Sequence, residues 1–95
     1  MLTGGILLTA CQVRMARAAL RWPVEELARR SGVSQASIRR IESVYGVPNV
    51  TVSILEKLRA AFEEAGIVFL ADDGARDGGP GLRFSRYPGR QAAAA

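Results

Sequence analysis

The stretch Val24–Glu42, V-E-E-L-A-R-R-S-G-V-S-Q-A-S-I-R-R-I-E, constrains this chain more than any other part of it. It holds two short helical patterns with a tight joint between them. Leu27 and Ala28 lie on one face of the first pattern. Ser31-Gly32-Val33 is the joint, with Gly32 placed to take a positive φ after the first helix. Ser34 is a favoured N-cap for the second pattern, whose apolar residues Ile38 and Ile41 stand three apart.

Around this pair the chain supplies further elements. Thr9 can cap a helix over Ala10–Arg21, with Val13, Ala16 and Leu20 inward and Arg14 and Arg21 outward. Cys11 is expected as a small buried or half-buried apolar residue. Trp22-Pro23 ends that helix, with Trp22 as a core residue and Pro23 opening a second helix to Ser31. A third helix is expected over Gln35–Val44 and a loop over Tyr45–Asn49. A fourth helix follows, capped by Asn49 or Thr51, ending at Gly66 and burying Val52, Leu55, Leu58 and Phe62. Glu63 and Glu64 fit a solvated face. The pattern then changes. Ile67–Ala71 is a compact β-type run, Asp72-Asp73-Gly74 is a turn signal, and Leu82–Arg86 alternates apolar and polar, which predicts a hairpin.

Ninety-five residues make one small domain, which would gain from dimerising. The net charge of +4 favours polyanion partners, and its distribution is uneven. Thr9–Val44 carries seven arginines against three glutamates, whereas Asn49–Gly66 has a net charge of −1 and Ile67–Ala95 of +1. Twelve of the thirteen basic residues are arginine. A GC-rich genome explains that, as does recognition of phosphate and guanine by the guanidinium fork. One cysteine and no histidine exclude a disulfide framework and argue against a zinc site, so no metal or other cofactor is expected. No apolar run approaches the roughly 18 residues of a membrane span, and Met1–Ala10 lacks the positive region of a signal peptide. A cytoplasmic location is expected. No nucleophile–base set is present, and Gly78-Gly79-Pro80-Gly81 lacks the Gly-Lys-Ser/Thr of a phosphate loop, so the chain is not read as an enzyme. An RNA-binding reading lacks an exposed aromatic platform.

Two helices joined by a short glycine-containing turn form a helix-turn-helix, whose second helix can enter a DNA major groove. Ala28 is small enough to let the helices approach, and Val33 and Ile38 fill the space between them. Three segments carry a wider likeness: R-M-A-R-A-A-L-R-W, then E-E-L-A-R-R-S-G-V-S-Q-A-S-I-R-R-I-E, then P-N-V-T-V-S-I-L-E-K-L-R-A-A-F. On these the sequence resembles the XRE, or Cro/repressor-like, family over about Thr9–Gly66. Its tail looks like that of a small bacterial subfamily with a hairpin after the helices. The resemblance implies a mainly α fold, a four- to five-helix lambda-repressor-like helix-turn-helix bundle followed by a short β-hairpin. The expected division is an N-terminal arm over 1–8, a DNA-binding domain over 9–66, a hairpin over 67–86 and a tail over 87–95.

The resemblance also implies roles. The helix 35–44 would be the recognition helix, with Ser34, Gln35 and Ser37 at its DNA-facing end. Gln35 would pair with adenine, Arg40 or Arg39 with guanine, and Ala36 would pack on a thymine methyl. Arg17 and Glu42 would form a partly buried ion pair holding this helix to the first. The chain departs from the family at Val24, where many members have a glutamine that contacts phosphate, and in an uncharged loop after the recognition helix. In that loop Tyr45, Asn49 and Thr51 would offer neutral hydrogen bonds to phosphate instead.

One recognition helix reads few base pairs, so a homodimer on a palindromic double-stranded DNA operator is expected, acting as a transcriptional repressor. The apolar strand pair has too few partners in one chain. Ile67, Val68, Phe69, Leu70, Leu82 and Phe84 are therefore the expected dimer contacts, with Met1–Leu8 as the alternative. An antitoxin-type or other protein-interaction module, its strands binding a partner protein, is the competing reading.

Overall fold

A computed structural model describes residues 8–71 and 79–85. Four helices and two strands follow one another as α1 (Ala10–Leu20), α2 (Val24–Ser31), α3 (Gln35–Glu42), α4 (Val52–Glu64), β1 (Ile67–Leu70) and β2 (Gly81–Phe84). Among the described residues no helix is long and apolar enough to cross a membrane. The expected turn at Asp72–Gly74, the arm before Leu8 and the tail after Ser85 lie outside the described residues.

α1, α3 and α4 each start where a local side chain satisfies a first-turn N–H group, and α2 starts after a proline. Thr9 and Gln12 form a reciprocal capping box on α1. Ser34 accepts the Ser37 N–H on α3, and Thr51 rather than Asn49 accepts the Ile54 N–H on α4. Pro23 is the N-cap of α2, so that helix opens at Val24. Its first turn carries Glu25 and Glu26 and its last turn Arg29 and Arg30, in the order that the helix dipole favours. Gly32 ends it at φ +79°, and Arg21 ends α1 in the same left-handed region at φ 59°.

The apolar faces converge on Phe62. Its ring stacks on Trp22 with centroids 5.7 Å apart, and Phe69 meets it edge-on at 5.8 Å. Around it Leu8, Val13, Ala16, Leu27, Ile38, Ile41, Leu58 and Ile67 are buried. Trp22 is half-buried against this core, with the Arg30 guanidinium 4.5 Å above its ring. The strands pair antiparallel, Ile67 opposite Phe84 and Phe69 opposite Leu82. Alternation then puts these four on the helix-facing side and Val68, Leu70 and Arg83 on the other.

Several expectations are corrected. α3 stops at Glu42, two residues short of Val44, because its last carbonyls are taken from outside the helix. Ser43 Oγ donates to the Arg40 carbonyl at 2.7 Å, and Arg14 donates to that of Glu42. α1 loses Arg21 to the left-handed cap, and α4 ends at Glu64 with Ala65 as its cap. Val52 is 57 % exposed, since the buried stripe of α4 begins a turn later at Leu55 and continues through Leu58, Ala61 and Phe62. Cys11 is exposed, and its polar neighbour Gln12 is buried in its place.

The two left-handed caps predict opposite responses. Arg21→Gly removes a strained side-chain backbone and should raise stability by about 0.5–1 kcal/mol. A Cβ at Gly32 meets nothing within 4 Å, so Gly32→Ala adds backbone strain alone and should lower stability by about 1 kcal/mol. Urea denaturation of both variants checks the signs.

Candidate nucleic-acid interface

α3 has eight residues, too few to persist as an isolated helix, so its neighbours must hold it. At roughly 100° per residue, Ile38 and Ile41 fall on its inner side and Gln35, Ala36, Arg39 and Arg40 on its outer side. The inner pair is fully buried and the outer four are exposed. Ser34 and Ser37 sit at the N-terminal end. Ser34 Oγ accepts the Ser37 N–H at 3.1 Å and donates to Ser37 Oγ at 3.0 Å. Arg39 and Arg40 make no ion pair among the described residues. The outer face thus carries an amide, a methyl and two guanidinium groups, the functional groups that match adenine, a thymine methyl and guanine.

The C-terminal end of α3 is bound to α1. Arg17 Nε donates to Glu42 Oε2 and Arg17 Nη2 to Oε1, both at 2.9 Å. The two side chains are 26 % and 10 % exposed. Arg17 Nη1 also donates to the Trp22 carbonyl at 3.1 Å. The hydrogen bonds that Arg17 donates to Glu42 hold its guanidinium above its ordinary pKa despite partial burial, so the charge persists. Arg14, expected outward, turns inward to the Glu42 carbonyl because that last-turn acceptor lies beside it. Helical spacing on α1 cannot reveal an acceptor that belongs to α3.

The loop 43–51 continues from this end. Its Gly46 carbonyl accepts the Ala10 N–H of α1 at 2.9 Å. Tyr45 is 97 % exposed, and Asn49 and Thr51 are also exposed. Thr51 Oγ1 is occupied as an acceptor by the Ile54 N–H, which leaves its O–H for an outside partner. A cleft of about 390 Å³ lies between α3 and this loop, lined by Arg40, Ile41, Val44, Pro48, Asn49 and Val50.

The start of α2 is acidic, and Val24 there is half-buried against the core. Glu26 binds Arg29 and Arg30, at 2.5 Å each. Hydrogen bonds from Arg29 and then Arg30 hold its carboxyl below the usual carboxylate range. Arg14 and Arg17 turn to the end of α3, Arg29 and Arg30 share Glu26 at the surface, and Arg21, Arg39 and Arg40 are exposed with no ion pair among the described residues. On the hairpin, Ile67 and Phe69 are buried in the chain's own core, and Leu82 and Phe84 pack against it. Val68 and Leu70 are the members of that set on the open side.

A family model described as helix-turn-helix matches residues 13–65. Neither the curated proteins nor the solved structures gave a significant match.

Removing one partner of the Arg17–Glu42 pair leaves a partly buried charge without its counterpart. Arg17→Met or Glu42→Leu alone should cost about 1–3 kcal/mol, between the ranges for exposed and buried pairs. The double variant should recover part of that loss, which a urea-denaturation double-mutant cycle measures.

Proposed function

The chain belongs to the helix-turn-helix family matched over residues 13–65, of the XRE type, and on that premise we propose that it is a sequence-specific double-stranded-DNA-binding transcription regulator. The observation that carries this reading is the outer face of α3. Gln35, Ala36, Arg39 and Arg40 project together from a helix whose inner side is clamped by Ile38 and Ile41. A short helix with a rigid back and an open polar front suits a major groove, which is wide enough to admit one helix.

In this reading Gln35 bonds the N6 and N7 edge of an adenine, and Arg40 bonds guanine O6 and N7. Ala36 meets a thymine methyl, and Arg39 takes a neighbouring guanine or phosphate. Ser34 and Ser37 bring the N-terminal turn of α3 close to the backbone, where its free N–H groups favour a phosphate. Tyr45, Asn49 and the Thr51 hydroxyl meet the backbone on the far side. The protein regulates by occupying its site, as a repressor. A single helix of this length, about 12 Å, spans few base pairs, so two copies act together on a palindrome with half-sites one turn apart. Val68 and Leu70 on the open side of the hairpin, and the edges of the hairpin strands, are the surface offered to the second copy.

Selection of bound sequences from a random duplex pool should return a palindrome. Arg40→Ala should then relax preference at one base pair per half-site, at a cost of about 1–3 kcal/mol. A loss uniform across all sequences would make Arg40 a phosphate contact and remove it from base reading. Binding should weaken steeply with added salt. Deleting residues 72–95 should lower the mass in solution from dimer to monomer. An unchanged dimer would take β2 out of the interface and leave β1 alone to supply it.

A further inference from the structure

Among the described residues one polar side chain is buried in the core, Gln12, at 1 % exposed. Its amide is used at both ends. Oε1 accepts the Thr9 N–H at 3.0 Å. Nε2 donates to the Leu70 carbonyl at 3.1 Å and to the Gly81 carbonyl at 2.9 Å. Leu70 and Gly81 face each other across the hairpin. The residue after Thr9 is Ala10, whose N–H holds the Gly46 carbonyl at 2.9 Å. One side chain therefore joins the hairpin to the first turn of α1, and the adjacent peptide joins that turn to the loop bearing Tyr45 and Asn49.

Helix capping does not account for this arrangement. The capping box needs an acceptor at position 12, which glutamate supplies as well as glutamine. Filling the core alone would favour an apolar residue, which avoids the cost of taking an amide out of water. What the amide adds is a pair of N–H donors, and both go to the hairpin.

We propose that Gln12 is a positioning residue for the loop 43–51. Hairpin docking, held by Gln12 Nε2, orders the first turn of α1, and the Ala10 N–H then fixes Gly46 and with it the backbone that presents Tyr45 and Asn49. Only the last step, from loop to phosphate, rests on the DNA-binding reading. The hairpin is thereby tied to the recognition unit across 58 and 69 residues of sequence.

The test is amide hydrogen exchange on the full chain, wild type and two variants, with duplex binding measured beside it. Gln12→Glu keeps the acceptor for Thr9 but sets a carboxylate against two carbonyls. Gln12→Met keeps the volume and removes both functions. Both should speed exchange about five- to tenfold in β1, β2 and at Ala10, while Leu27 and Ile38 keep their protection. Duplex affinity should fall by a similar factor for every sequence, with base preference unchanged and, because Tyr45 and Asn49 carry no charge, the salt dependence unchanged as well. Faster exchange in the strands with Ala10 unchanged overturns the proposal, as does a faster Ala10 with an unchanged duplex affinity. If Gln12→Glu unfolds, Gln12→Met decides the outcome. If the wild type binds no duplex, the DNA-binding reading falls, and Ala10 exchange still decides the link from hairpin to loop.

Discussion

The Arg17–Glu42 pair is the contact on which the orientation of α3 depends. Burial of Ile38 and Ile41 contributes more energy, about 2–3 kcal/mol each by area arguments, and it explains why α3 stays on the bundle. Hydrophobic burial has no direction, however, and would tolerate a rotated or slid helix. A two-pronged guanidinium–carboxylate contact does not, because both N–H···O lines must be met at once. The pair sits at the last residue of α3, with the Ser34 cap and the Gly32 joint at the other end. An eight-residue helix pinned at both ends and greased in the middle has one rotational setting, and that setting decides which four side chains face outward.

The same contact changes how the charge of the chain should be read. Composition alone points to a strongly basic segment between Thr9 and Val44. The fold gives several of these arginines partners, two of them at the surface. Arg17 neutralises Glu42, Arg14 caps a carbonyl, and Glu26 takes both Arg29 and Arg30. What remains outward on α3 is a pair of adjacent arginines beside a glutamine. A focused charge of that kind favours directed hydrogen bonds over diffuse attraction to a polyanion.

The elements that were legible in the sequence are those specified by neighbours along the chain. Thr9, Ser34 and Thr51 are caps because a hydroxyl reaches an N–H three residues on. Gly32 ends α2 because it alone in that stretch takes φ +79° without strain. The buried faces of α1, α3 and α4 follow from spacings of three and four, and the presence of two strands follows from their β-type and alternating runs. The misreadings occur where a partner is distant in sequence. Helical spacing gives no reason for Cys11 to face water and Gln12 the core. The reason is two carbonyls at Leu70 and Gly81. Val52 fits the apolar stripe of α4 by number, but the core lies a turn further along that helix.

Local signals in the sequence therefore determined the four helices, their caps, the glycine joint and the strand pair, because each rests on contacts within a few residues and on the period of the apolar side chains. Tertiary structure decided where α3 stops, which arginines remain available at the surface, and how the hairpin is fastened to the helix behind the recognition unit. Apart from the local Ser43–Arg40 and Glu26–Arg29–Arg30 contacts, those outcomes rest on hydrogen bonds and ion pairs spanning 25 to 69 residues. Such contacts have no period to read, and they exist only once the helices have packed.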